Sequence, residues 1–314
     1  MKRVILAIAF TVFASYVFPQ GALPVDSILA VANQKLGYKD YLGSIREYNR
    51  VLRMQPKNVV ANQNRAFAKF QVGDQNGALT DAQAAIKIDP KNRQAHFIIG
   101  EVLSGQQKYD QALKEYQSVL KAEPGNLDAF RGEVFCTYFM GNEKEAFNMV
   151  DNAIQKDKSQ SMFFYVRGVL NNSRGKYSRA LDDFNKALEL NPGDNAFNVY
   201  LNRGVAYMGV EENDHAKDDL SKAIELQPDN ASAYHSRGRL FYNMKQYDDA
   251  VKDFTRSVEL NPNNDVTYYN LGMAYYRLED FKNACENFRK SCSMGNQNAC
   301  KMVVMNCTGP ITGK

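Results

Sequence analysis

The chain of 314 residues has no tryptophan, only three histidines and five cysteines, and no run of like charge. Its 39 basic and 35 acidic residues are interspersed and leave a net charge of +4. A surface for nucleic acid or an anionic membrane needs a clustered cationic excess, so this mixture argues against both. His96, His215 and His235 are too far apart for a pair at metal-ligand spacing. No metal is expected, and each histidine is expected to face solvent or a partner. A glycine-rich phosphate loop, a nucleophile-elbow serine and a Cys/His pair close in sequence are also missing. No cofactor, no catalytic residue and no enzyme activity are expected.

Long apolar runs are missing as well, except at the start, where Lys2 and Arg3 precede an apolar stretch over residues 4–18. A basic segment followed by a short apolar one reads as a secretory signal peptide. The run is shorter than the ~20 residues of a membrane-spanning helix. Residues 1–22 are assigned to the signal, with cleavage in the zone 20–22; an uncleaved anchor is the alternative. The expected location is the periplasm or cell envelope, or outside the cell, with no membrane insertion after removal of the signal. Without Lys2 and Arg3 the balance is 37 basic against 35 acidic residues.

What the chain has is a period. Residues 161–194 begin again, with the same punctuation, at Phe197 and Ala231. An aromatic residue is followed three later by Arg-Gly (Phe164, Arg167-Gly168; Tyr200, Arg203-Gly204; Tyr234, Arg237-Gly238), then by an alanine (Ala180, Ala216, Ala250) and a closing proline (Pro192, Pro228, Pro262). A period near 34 with these marks is that of a helix–turn–helix solenoid, and the pattern resembles the tetratricopeptide repeat family. Counting from the prolines gives eight repeats: 25–58, 59–92, 93–126, 127–160, 161–196, 197–230, 231–264 and 265–298. Residues 299–314 form a capping helix and tail, because a solenoid must cover its last apolar face. The resemblance implies an all-α, right-handed superhelical solenoid. The family's first aromatic position is Phe or Tyr in repeats four to eight. It is Asn62 and His96 in the second and third, whose first helices are expected to be less securely placed.

A sharper pattern runs inside the period. Arg stands at the seventh position of four repeats (Arg65, Arg167, Arg203, Arg237), and in those four the residue sixteen later is Asp (Asp81, Asp183, Asp219, Asp253). Repeats with another residue at the first position lack Asp at the second. A planar guanidinium suits a carboxylate, so an ion pair between the helices of one repeat is predicted. Gly168, Gly204 and Gly238 are expected to let Ala180, Ala216 and Ala250 approach.

In the family, the first helix of each repeat lines the concave side, with positions 2, 5, 9 and 12 pointing into the groove. Carried over, these positions include Phe67, Phe70, Phe97, Arg131, Phe135, Tyr138, Tyr165, His235, Arg239, Tyr242, Tyr269 and Tyr276. Aromatics interleaved with polar groups suit recognition of a protein or peptide; alternatively, some are core residues in a shifted register. The chaperone-type clamp for terminal carboxylates is not expected. Its positions hold Leu29, Asn33, Asn64, Gln94 and Ile98, without a cation.

Cys136 occupies a position that is otherwise small or apolar and is expected to be a buried, inert thiol. The other four cysteines sit in mirror order, Cys285 and Cys307 eleven residues either side of Asn296, Cys292 and Cys300 four residues either side. If the chain reverses there into a helix hairpin, these partners face each other. Two disulfides are predicted; a zinc site and four reduced thiols are the rivals. The functional reading is an exported scaffold that binds a partner protein or peptide in its concave groove. The alternative is a structural subunit of an envelope assembly or secretion complex that docks by its convex face or its ends.

Overall fold

The computed structural model describes residues 24–307; the proposed signal peptide and the tail beyond Cys307 lie outside them. Every regular element among the described residues is helical. The helices gather into two compact bodies that divide after Pro124. The N-terminal body holds α1 (Val25–Gly37), α2 (Tyr41–Met54), α3 (Val59–Gln71), α4 (Gln75–Ile88), α5 (Arg93–Gly105) and α6 (Tyr109–Ala122). The C-terminal body holds α7 (Leu127–Phe139), α8 (Glu143–Lys156), α9 (Ser161–Ser173), α10 (Tyr177–Glu189), α11 (Ala196–Gly209) and α12 (Asn213–Leu226). It continues through α13 (Ala231–Asn243), α14 (Tyr247–Leu260), α15 (Asp265–Arg277), α16 (Phe281–Ser293) and α17 (Gln297–Asn306). Odd-numbered helices are the first of each pair and even-numbered ones the second. Within each body the pairs stack as a superhelical solenoid.

Local chemistry sets each boundary. Asn58, Asn92, Asn126, Asn264 and Asn296 cap first helices, each side-chain oxygen accepting from the backbone N–H three residues on; such a cap is worth about 1 kcal/mol. Gln55, Glu123, Gln227 and Asn261 precede prolines and turn extended, because the proline ring clashes with a helical residue before it. The turn inside each of the eight repeats needs one left-handed residue. Glycine fills it at Gly73, Gly141 and Gly175, while Lys39, Gln107, Glu211, Lys245 and Glu279 adopt it at some cost.

The close helix approach has a nearer partner than the alanines expected, although the Ala216 carbonyl also stands 3.4 Å from where a side chain at Gly204 would lie. A side chain at Gly168, Gly238 or Gly272 would meet the ring of Phe184, Phe254 or Phe288 at 2.6–2.8 Å, and one at Gly204 would meet Leu220 at 2.8 Å. The glycines make room for a large residue of the second helix. These rings are fully buried, and each contributes about 1.5–3 kcal/mol by leaving water. In the fourth repeat Val134 takes the glycine's place, and α7 and α8 pack less closely than the other pairs.

All four Arg–Asp pairs are present. Arg65, Arg203 and Arg237 each bond their aspartate through two N–H groups at 2.6–2.9 Å, and Arg167 does the same to Asp183 at 2.7–3.0 Å. The aspartates are buried. The sequence did not reveal a third contact: the remaining nitrogen of each arginine reaches back to the preceding second helix, at Asn49, Asp151, Asn185 and Ser221. Each guanidinium thus ties three helices. Phe164, Tyr200 and Tyr234 lie 5.6–6.0 Å from the guanidinium three residues later, which explains the aromatic-x-x-Arg spacing as a cation–π contact. For Arg203, burial alone would lower the pKa; the bond to Asp219 and its charge outweigh burial and push it up.

α3 and α5 are as well formed as the other first helices, contrary to the expectation from Asn62 and His96. Asn62 donates to the carbonyls of Pro56 and Asn58. His96 places Nε2 3.0 Å from the Pro90 carbonyl and Nδ1 2.6 Å from Glu115 Oε2. Only an imidazolium donates to both. Burial opposes its charge, and Glu115 and Pro90 outweigh that and raise its pKa.

At the C-terminal end Cys285 is bonded to Cys307 and Cys292 to Cys300, with Cα atoms 5.6 and 4.7 Å apart. Cys136 is buried and stands outside any disulfide. No helix among the described residues is long and apolar enough to cross a membrane.

Candidate functional site

Helix contacts identify the inner face. Successive first helices touch, α1 with α3 and α3 with α5 in one body, and α7, α9, α11, α13 and α15 in sequence in the other; successive second helices come no comparably close. Each body therefore curves toward its first helices.

The groove positions divide by depth. Those at the fifth place of a repeat press one face onto a core ring of the second helix: Phe97 on Tyr116, Tyr165 on Phe184, His235 on Phe254 and Tyr269 on Phe288, with centroids 5.7–6.3 Å apart. Tyr165 is 7% exposed, a core residue that offers little to a partner, and its place in the groove is corrected accordingly. Phe97, His235 and Tyr269 stay half-buried. Phe67, Phe70, Phe135, Tyr138, Tyr242 and Tyr276, at the ninth and twelfth places, are also half-buried. Arg131 is neutralised by Asp128 at 2.8 Å, whereas Arg239 is exposed.

The two bodies line their inner faces differently. In the N-terminal body Asn64 donates to Asn33, Gln63 to Asn64 and Gln94, and Asn92 to Gln63. This carboxamide ladder went unread because each residue alone is an ordinary polar position. In the C-terminal body, Met162, Val169, Leu201, Val205 and Met208 form a half-buried strip on α9 and α11. Beside it, a cavity of about 300 Å³ opens between α13 and α15, lined by Arg239, Tyr242, Asn243, Tyr269, Asn270 and Met273 over a floor of Phe254. The Tyr242 hydroxyl accepts from Arg277 Nε at 3.2 Å. Among the described residues no histidine, cysteine or carboxylate cluster could hold a metal.

Of the histidines, only His215 is largely exposed. His96 and His235 pack inward, which the sequence did not anticipate. His235 Nδ1 lies 2.8 Å from the Thr267 hydroxyl. Burial, and then the charge of Arg239, lower its pKa to about 4. The folded chain thus keeps His235 neutral where an unfolded one protonates near pH 6.5. Its contribution is full above pH 6.5 and is lost as pH falls toward 4, up to about 2–3 kcal/mol. His96 works oppositely: its stabilisation is full below pH 6.5 and fades as pH rises through its raised pKa. Denaturant titrations at pH 4.5 and 7.5 should show a smaller loss of stability in acid for His235→Gln than for the native chain. Equal losses would contradict the neutral assignment.

Comparison with known proteins agrees with this architecture. Models described as tetratricopeptide repeat match residues 197–230, 231–264 and 266–298, and one described as TT21 fifth ARM repeats domain matches 93–198. The small glutamine-rich tetratricopeptide repeat-containing protein 2 of Mycosarcoma maydis is 33% identical over 101 residues, 32% of this chain and 29% of its own. The Hsp70-Hsp90 organizing protein of Triticum aestivum is 26% identical over 130 residues, 41% of this chain and 22% of its own. The chain thus spans under a third of the length of these relatives. A crystal structure of a tetratricopeptide repeat protein from Parabacteroides merdae superposes with a TM-score of 0.63 at 18% identity, over 80% of this chain and 98% of that one.

Proposed function

From the premise that this chain belongs to the tetratricopeptide repeat family, whose proteins mediate protein–protein interactions, we propose that it is an exported scaffold. Its partner is a protein or peptide segment bound along the inner face. The observation that carries this reading is that each body, taken by itself, keeps half-buried aromatics on its first helices: Phe67, Phe70 and Phe97 in the N-terminal body, and Phe135, Tyr138, Tyr242, Tyr269 and Tyr276 in the C-terminal body. Such rings keep apolar area in water that a partner segment can cover, and aromatic anchors dominate interface energetics. Export is supported by the basic-then-apolar start and by two disulfides, which persist in oxidising compartments.

Photo-crosslinking in cells, with the reactive group placed at inner-face or outer-face sites in turn, tests the groove. Partner adducts should form from the inner face. Tyr242→Ala or Tyr269→Ala should each weaken binding of the recovered partner about tenfold or more, with the helical circular dichroism unchanged. Adducts confined to the second helices or to α17 would instead favour docking by the convex face or an end. Fractionation of the expressing cell tests export; full-length chain in the cytosol would overturn that part alone.

A further inference from the structure

The cavity between α13 and α15 carries a charge that no carboxylate among the described residues pairs with. Arg239 has no ion pair or hydrogen bond among the described residues, unlike Arg131, the other arginine of the inner face, which Asp128 neutralises. Arg277 stands at the same rim through Tyr242 and also lacks a carboxylate partner among the described residues. Of the aspartates on the adjoining helices, Asp253 pairs with Arg237, Asp249 with Lys252, and Asp265 accepts from Asn296, while Asp248 is exposed in the first turn of α14 and forms no ion pair with Arg239. The walls add two carboxamides, Asn243 and Asn270, neither of which spends its side chain on a bond among the described residues. The remainder is apolar: Met273, the ring faces of Tyr242 and Tyr269, and Phe254 beneath.

From this lining we infer that the cavity receives an acidic side chain within an otherwise apolar partner segment, a deepening that rests on the groove reading above. A carboxylate in the cavity meets the Arg239 guanidinium, a pairing stronger than a neutral hydrogen bond. The carboxamides offer donors and acceptors to the peptide groups on either side. Met273 and the tyrosine faces take the neighbouring apolar residue. The acidic residue is internal because the strip of Leu201, Val205 and Met208 on α11 continues the groove on one side, so a bound segment runs on past the cavity. That strip bears no charge, which sets the apolar character of the flanking residues. The depressed pKa of His235, to which Arg239 contributes, is consistent with an unscreened cation there.

The experiment uses the full chain and fluorescence polarisation. Labelled twelve-residue peptides of Leu, Met, Val, Ala and Ser, acetylated and amidated at their ends, carry one Glu at each position in turn; a matched set carries Gln. The best binder of the Glu set should lose about three- to tenfold in affinity on Glu→Gln. Arg239→Gln should erase that difference while leaving the Gln peptide bound as before. Replacing the terminal amide by a free acid should change nothing. Equal binding of Glu and Gln peptides, or a preference that survives in Arg239→Gln, overturns the inference while leaving the groove intact. A preference that moves to the free C-terminus overturns the internal-residue assignment. Binding indifferent to both Tyr242→Ala and Tyr269→Ala places the peptide outside the groove, and no binding of any peptide counts against the groove and the cavity together.

Discussion

Arg203→Met should destabilise the chain by about 3–5 kcal/mol, far more than the 0–1 kcal/mol expected for a surface ion pair. The guanidinium side chain is 18% exposed and the Asp219 carboxylate 7%, so water replaces little of what the substitution removes. Asp219 would be left between packed helices with no cation to answer its carboxylate and with the desolvation already incurred. Asn185 on the preceding second helix would lose its donor too, so the junction between two repeats loosens with the repeat itself. Most of the loss comes from the orphaned charge and not from the intrinsic worth of the pair. The double variant Arg203→Met/Asp219→Leu should therefore recover a large part of it, giving a strongly non-additive cycle. Urea unfolding followed by circular dichroism reads both quantities. A single-variant loss under about 1 kcal/mol, or losses that simply add, would mean that the pair is solvated in practice.

This pair also shows what a sequence can carry. Arg at one position and Asp sixteen later recur together or not at all, and a repeated covariation inside one chain is a contact. The link to Asn49, Asp151, Asn185 and Ser221 stayed hidden because three residue types serve one role: any side-chain oxygen will accept from the third nitrogen. The turn residues divide similarly. Gly73, Gly141 and Gly175 announce a left-handed residue, whereas Lys39 and Glu279 hold the same geometry only because the flanking helices impose it. Inner-face aromatics were legible as a class and not in depth. Position five sits where a helix face turns from groove to core, so its exposure depends on the ring beneath. Tyr165 lies against Phe184 and is covered, while Tyr269 lies against Phe288 beside an open cavity. Arg239 was legible as a groove residue, but its lack of a counter-ion among the described residues emerges only once the carboxylates of α14 and α15 are placed.

Reduction should unfold the C-terminal end and spare the rest of its body. α17 is ten residues long, below the length at which an isolated helix holds in water. Ala299 is its only fully buried side chain, with Met302 and Val303 partly covered against α16. Val304 and Met305 are exposed. A terminal element of a solenoid packs on one neighbour, and its stability is close to a sum of local terms. Here the local terms are small and the covalent ones large. Cys285–Cys307 spans 22 residues and encloses Cys292–Cys300, which spans 8. Chain-entropy arguments give about 2.5 kcal/mol for the inner loop and about 3.4 kcal/mol for the outer one, less than additive when one lies inside the other. Hydrogen exchange read by mass spectrometry, before and after reduction, should show α17 and the last turns of α16 losing protection. The amides of α9–α14 should hold theirs. The paired replacement of Cys285 and Cys307 by serine should loosen the end more than that of Cys292 and Cys300, because Cys285 and Cys307 are buried and theirs is the covalent tie at the far end of α17, where Arg289 adds a hydrogen bond to the Cys307 carbonyl. Protection unchanged in fully reduced protein would show that packing by itself holds the last helix, and that the cysteines serve something other than the end of the solenoid.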